Sequence, residues 1–154
     1  MQRDSVLKKI EDDIAAYGWH CLSVRDSIND PEPDFVPFSY TIGLTTTFDH
    51  PELIIFGLDT NIAHGILSAC ASQVREFGPL PENRRIPDIL ERSLDVVVRP
   101  MNSSHFAEYI GTALRYFDSS RVLVSIVFWP DVNNVFAWEP GYEMKSLESL
   151  IHLI

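Results

Sequence analysis

The sequence predicts a single α+β domain over residues 1–154, built on a five- to six-stranded, largely antiparallel sheet with three to four helices. Three observations predict it. The chain has 154 residues, 45% of them hydrophobic, which is one domain's worth; a chain of this size buries roughly 70% of the surface its unfolded form exposes. Short β-branched and aromatic runs recur between Pro, Gly and Asp clusters, the pattern of strands. Between them lie longer stretches with apolar residues at helical spacing. No internal repeat, linker or low-complexity segment interrupts the pattern.

Asp4 to Tyr17 carries Val6, Leu7, Ile10 and Ile14 on one face and charges on the other, so it reads as a helix that Asp4 can cap and Gly18 stops. Trp19 to Val24 reads as a strand. Residues 26–37 hold three prolines and four acids and read as a wet loop. Phe38 to Leu44 and Leu53 to Leu58 follow as consecutive strands joined by a loop. Asp59 or Thr60 caps a second helix carrying Ile62, Ile66, Leu67, Cys70 and Val74, and Gly78-Pro79 ends it. Residues 79–92 form a connection with a short helical turn expected at Ile86 to Arg92.

Leu94 to Arg99 is the next strand, stopped by Pro100. Asn102, Ser103 or Ser104 caps a third helix with Phe106, Tyr109, Ile110, Ala113 and Phe117. Val122 to Trp129 is almost continuously apolar, as a central strand buried on both faces must be. Val135 to Trp138 is expected as a short edge strand. Leu147, Leu150, Ile151 and Ile154 after Ser146 give the stripe of a closing helix.

Charge narrows the function classes. The chain has 12 Lys and Arg against 22 Asp and Glu, a net charge of −10. Such a balance argues against nucleic acid, because neutralising phosphates needs a basic surface. No run approaches the length and apolarity of a membrane span, and Met1 to Ile14 lacks the apolar core of a signal peptide, so no membrane partner is expected. Cys21 and Cys70 stand apart, in no C-x-x-C spacing, and read as reduced thiols of a cytoplasmic protein. Every basic residue from 75 to 129 is Arg, interleaved with an equal number of acids, the pattern of internal ion pairing.

The chemistry-bearing residues form no catalytic signature. His20, His50, His64, His105 and His152 stand in no metal-ligand spacing, although His20, His50 and His105 are free to converge in space. His20 beside Cys21 is an accidental pair, since neighbours on a strand point to opposite faces. The seven glycines make no phosphate-binding loop, and no nucleophile elbow or zinc-deaminase motif is present.

Several blocks together resemble a known family. Tyr17-Gly18-Trp19-His20, Phe38-Ser39-Tyr40-Thr41-Ile42-Gly43-Leu44, His50-Pro51-Glu52-Leu53 and Phe56-Gly57-Leu58 are similar to the signature of a bacterial family known only as domain of unknown function number four-two-six-two. Trp129-Pro130-Asp131 and Trp138-Glu139-Pro140-Gly141-Tyr142 extend the resemblance over nearly the whole chain. The acidic, proline-rich 26–37 loop departs from it as a local elaboration. The resemblance implies no reaction.

Two function classes follow. The first is a non-enzymatic, acidic binding protein that meets a basic protein partner, in concrete form an immunity-type protein that neutralises a toxin such as a nuclease. Asp26, Asp30, Glu32 and Asp34 would supply the charge, and Trp138 and Tyr142 the aromatic contacts. The second is a small-molecule or flavin-binding domain resembling a split-barrel reductase. There Tyr40, Thr45 and Thr46 at a strand end, with Trp19, His20 and His50 nearby, would hold the cofactor.

Overall fold

The structure is a computed structural model and describes residues 2–117 and 121–154. Its frame is a six-stranded sheet in the order β1-β2-β3-β6-β5-β4. The strands are β1 His20–Val24, β2 Phe38–Ile42, β3 Glu52–Phe56, β4 Arg85–Ile86, β5 Val96–Pro100 and β6 Val124–Phe128. All neighbours are antiparallel except β3 and β6, which run parallel with Glu52 opposite Val124 and Ile54 opposite Ile126. The α+β architecture is the one the sequence predicts.

Strand alternation creates two cores. Phe38, Tyr40, Ile42, Ile54, Phe56, Val124, Ile126 and Phe128 face one side of the sheet. Helix α1 (Gln2–Tyr17) covers that face through Leu7, Ile10 and Ile14. Beside it lie the short α4 (Phe106–Tyr109), α5 (Gly111–Phe117) and a C-terminal 3-10 helix, Lys145–Leu153, which inserts Leu147, Leu150 and Leu153. On the other face Leu53, Ile55, Val96, Val98 and Val127 meet α3 (Thr60–Phe77) through Ala63, Leu67, Cys70, Ala71 and Val74. β6 is buried at all five positions, as its unbroken apolarity requires. Asp59 caps α3 by accepting the Ile62 amide at 2.9 Å.

Four local expectations are corrected. Leu44–Phe48 is a one-turn helix, α2, rather than a strand's last residue and the start of a loop, because an acidic side chain from elsewhere receives its first amides. The helical turn expected at Ile86 to Arg92 is absent: Arg85–Ile86 pairs with β5, and Asp88, Arg92 and Ser93 have positive φ, which breaks a right-handed helix. The third helix is split, with Ile110 at φ −116 and ψ 37 between α4 and α5, and a 3-10 turn at Ser103–His105 that Asn102 caps. Val135 to Trp138 forms no strand, because the Asp131 carboxylate gathers the Asn133, Val135 and Glu143 amides into turns. No helix among the described residues is long and apolar enough to cross a membrane.

Candidate functional site

The strand end from Tyr40 to His50 is tied into the fold. Gly43 leaves β2 at φ 128, and its backbone packs against Ile14, Trp19 and Gly18. Glu52, fully buried at the start of β3, turns back over this bend. Its carboxylate accepts Thr41 Oγ1 at 2.7 Å and the amides of Gly43, Leu44 and Thr45 at 3.1, 3.1 and 2.9 Å. Burial pushes the Glu52 carboxyl up, while these four donors favour the charged form. Thr45 Oγ1 donates to the His50 carbonyl, Thr46 is exposed, and Tyr40 is 1% exposed, with burial pushing its phenol up against hydrogen bonding to Thr112 and Ala113.

His20, His50 and His105 form no metal-binding group among the described residues. His50 is buried; its Nδ1 donates to the Pro51 carbonyl and its Nε2 accepts the Leu80 amide, which specifies the neutral Nδ1–H tautomer. His20 points to the α1 face, where Nδ1 meets Asp13 Oδ2 at 2.7 Å. The Lys9 ammonium and then His20 hold the Asp13 carboxyl below its usual value, against burial. Trp19 lies on the α3 face and stacks on His64 at 5.6 Å. Cys21 points the same way as Trp19, so His20 and Cys21 are separated by the sheet, as alternation requires. His105 and His152 are in edge contact at 5.4 Å. Among the described residues no three His, Cys, Asp or Glu side chains gather as a metal site would need. Both cysteines carry free thiols.

The acidic loop between β1 and β2 is arranged differently. Asp26 braces it, accepting the Ser27 amide at 2.8 Å and the Glu32 amide at 3.1 Å. Asp30, Glu32 and Asp34 remain exposed. Glu32, Asp34 and Glu108 of α4 are among the residues that line a cleft of about 370 Å³. Phe38, Phe56 and Tyr109 line its wall, the Tyr109 ring meeting each phenylalanine edge-on at 5.4 Å. Burial first, and then the Glu108 charge, pushes the Tyr109 phenol up. Sequence reasoning assigned Phe38, Phe56 and Tyr109 only to core stripes and passed over Glu108. The period of the third helix placed Tyr109 correctly, but nothing in the spacing paired it with the loop.

Trp138 and Tyr142 sit apart from that loop, beyond the middle of the sheet. Trp138 stacks on Phe136 at 5.1 Å and meets Phe128 edge-on at 5.0 Å, with the Arg99 guanidinium 5.1 Å above its ring. Tyr142 is half-buried; burial and then Asp131 push its phenol up, and its hydroxyl has no hydrogen-bond partner among the described residues. Arg85 is clamped nearby by Asp95 at 3.2 Å and Glu139 at 2.7 Å, over the Phe136 ring at 4.8 Å.

These geometries account for the sequence blocks. Gly43, His50 and Glu52 build one bend, and Gly57 lets the Trp129 ring approach, whose Nε1 donates to the Phe56 carbonyl at 2.8 Å. No curated protein and no solved structure matches the chain significantly. One family model does match, over residues 13–143, and it is described as a domain of unknown function. The chain therefore belongs to the DUF4262 family.

Proposed function

We infer that the protein is a non-enzymatic binding protein whose acidic 26–34 loop meets a basic protein partner, in concrete form an immunity-type protein that blocks a basic toxin such as a nuclease. One observation carries this reading. Asp30, Glu32 and Asp34 are exposed on one loop, and no Lys or Arg among the described residues pairs with their carboxylates. Three arginines, in contrast, are held by acceptors of the protein itself: Arg75 donates to the Tyr17 carbonyl, Arg85 is held by two acids, and Arg99 bonds Asn83. The loop charge is thus left to repel itself in solvent, and an acidic surface of this kind steers a basic partner and sets the rate of encounter.

The experiment is native mass spectrometry on the protein purified gently from its own host, at rising ionic strength. A co-purifying basic polypeptide that is lost as salt rises is the expected result. The loop is then tested directly by the joint change Asp30→Asn, Glu32→Gln and Asp34→Asn. Association should slow at least several-fold at low salt and much less at high salt, because screening removes the same interaction. An association rate indifferent to both the charges and the salt overturns the reading.

A further inference from the structure

We propose that the outer edge of β1 is the interface of a symmetric dimer. Two copies of the chain pair their β1 strands antiparallel about a two-fold axis through Leu22, so that one sheet continues into the other. The residues involved are not those that carry the acidic-partner reading, and the two stand or fall separately.

The first ground is the contrast between the two edges of the sheet. β1 and β4 are its outermost strands. β4 is two residues long and carries Arg85, held by Asp95 and Glu139, the short and charged form in which proteins blunt an edge. β1 has five residues, His20–Val24, without a proline or a Lys, Arg, Asp or Glu, and all five are partly exposed. Its inner side pairs with β2 from His20 opposite Ile42 to Val24 opposite Phe38. Among the described residues no other backbone–backbone hydrogen bond reaches residues 20–24, so the outward amides and carbonyls have no partner in the chain. The helices flank this edge without closing over it. Asp13 and Tyr17 of α1 and His64 of α3 border, with Trp19 and Cys21, an open cleft of about 430 Å³.

The second ground is complementarity. An axis through Leu22, perpendicular to the sheet, sets Leu22 against its own copy, Cys21 against Ser23 and His20 against Val24. One step further, Arg25 falls opposite the partner's Trp19, and directly opposite residues of antiparallel strands share a face. Trp19 packs on the α3 face, and Arg25 borders a cleft with Asp59 and Thr60 at the start of that helix. Arg25 is exposed, and no hydrogen bond or ion pair among the described residues engages its guanidinium. A guanidinium against an indole is a favourable cation–π pair, and the two-fold makes it twice. The next position sets Asp26 beside the partner's Gly18. There the Arg75 guanidinium bonds the Tyr17 carbonyl at 3.1 Å and lies 3.2 Å from where a Gly18 Cβ would stand.

One end of β1 is therefore cationic and the other acidic, and the antiparallel pairing brings unlike ends together. It also leaves the two 26–37 loops at opposite ends of the dimer, as a chain of net charge −10 requires. An axis through Cys21 or Ser23 sets Arg25 against Tyr17 or Cys21 instead and loses the match.

The test is sedimentation velocity on the whole chain from micromolar to millimolar concentration, with amide hydrogen exchange on the same samples. A monomer–dimer equilibrium is expected, with slower exchange in residues 20–24 as the dimer fills. Arg25→Glu should raise the dimer Kd at least tenfold, and Arg25→Lys by less than threefold. Arg84→Glu, an equal charge change near the opposite edge of the sheet, should leave it unchanged. Both arginines are exposed, so these variants keep the fold. The joint change Asp30→Asn, Glu32→Gln and Asp34→Asn should leave the dimer intact.

A chain that stays monomeric throughout overturns the dimer. So does a dimer whose formation leaves exchange in residues 20–24 unaltered, which places the contact on another face. A dimer that protects those residues but ignores Arg25→Glu overturns the pairing centred on Leu22. A monomer that gains protection there only on adding an alternating valine–threonine octapeptide assigns the edge to a foreign strand and overturns the second copy.

Discussion

The Glu52 carboxylate accepts the Gly43 amide at 3.1 Å across the turn that joins β2 to β3. That bond is one of four on the same buried group, and together they replace the water that a carboxylate and three orphan amides would otherwise require. The bend is therefore set by a side chain downstream of it, and its energetics are open to substitution.

Glu52→Gln puts an amide nitrogen where at least one backbone donor now bonds. We expect a loss of about 3 kcal/mol, since a buried donor left unsatisfied costs about 1–3 kcal/mol and two are disturbed. Thr41→Val removes one donor to Glu52 and the acceptor of the Leu53 amide at 2.9 Å, and should cost about 2 kcal/mol. Urea unfolding of both variants checks the order. Equal stabilities for Glu52→Gln and the parent would show that the carboxylate is not what organises the turn.

Gly43→Ala should be harsher than its single methyl implies. A Cβ there would sit 2.8 Å from Ile14 Cγ1, 2.9 Å from Trp19 Cα and 3.0 Å from the Gly18 carbonyl, at a φ that L-residues rarely adopt. Two of the three obstacles are backbone. Strain and overpacking together cost about 3 kcal/mol, so a thermal melt should place Gly43→Ala well below an Ala substitution at exposed Gly65, where a Cβ meets nothing.

Asp131 makes stability fall in acid. Burial alone would raise its carboxyl, but the Val135, Glu143 and Asn133 amides outweigh burial and hold it below the ordinary 3.8. The unfolded chain then binds more protons than the folded one in that range. Its contribution is present above about pH 3.8 and is lost as pH falls through the lowered folded value. Asp131→Asn should lower the melting temperature at pH 7 and flatten its decline between pH 4 and pH 2. A decline as steep as that of the parent would assign the acid sensitivity elsewhere, with Asp13 the next candidate.

The two thiols should be separable by kinetics. Cys70 is fully buried beneath α3, and burial pushes its thiol up to about 12, leaving almost no thiolate at pH 8. Cys21 is also raised by burial but is half-exposed at a cleft. Iodoacetamide on the native protein should label Cys21 first and reach Cys70 only on unfolding. Peptide mass mapping reads the result, and equal labelling rates would mean that α3 opens readily.

Periodicity was a good guide wherever one contiguous segment determines its own burial. The Leu7, Ile10 and Ile14 stripe of α1, the Asp59 cap of α3 and the doubly buried β6 were all legible on that basis. It failed where a distant side chain decides. Thr45 to Thr47 read as loop beyond the end of a strand, yet they turn helical because Glu52 receives the first amides of α2. Val135 to Trp138 are apolar and partly aromatic like a short strand, yet Asp131 folds them into turns. The same limit applies to the candidate site. The loop acids were plain from composition, but the aromatic wall and Glu108 reach them only through the path of α4 over the sheet. The internal partners that Tyr40, Thr45 and His50 take leave no record in sequence spacing.

The parallel pairing of β3 with β6 has a consequence for birth on the ribosome. β1, β2 and β3 can zip together as a local meander soon after they emerge, but the inner edge of β3 waits for residues 124–126 to be synthesised. Throughout that interval the nascent chain displays an open, strongly apolar edge formed by Leu53, Ile54 and Ile55. Ribosome-stalled chains released before β6 should be captured by chaperones or self-associate, while chains released just past β6 should escape both fates. The last long strand to be made is the keystone that closes the sheet.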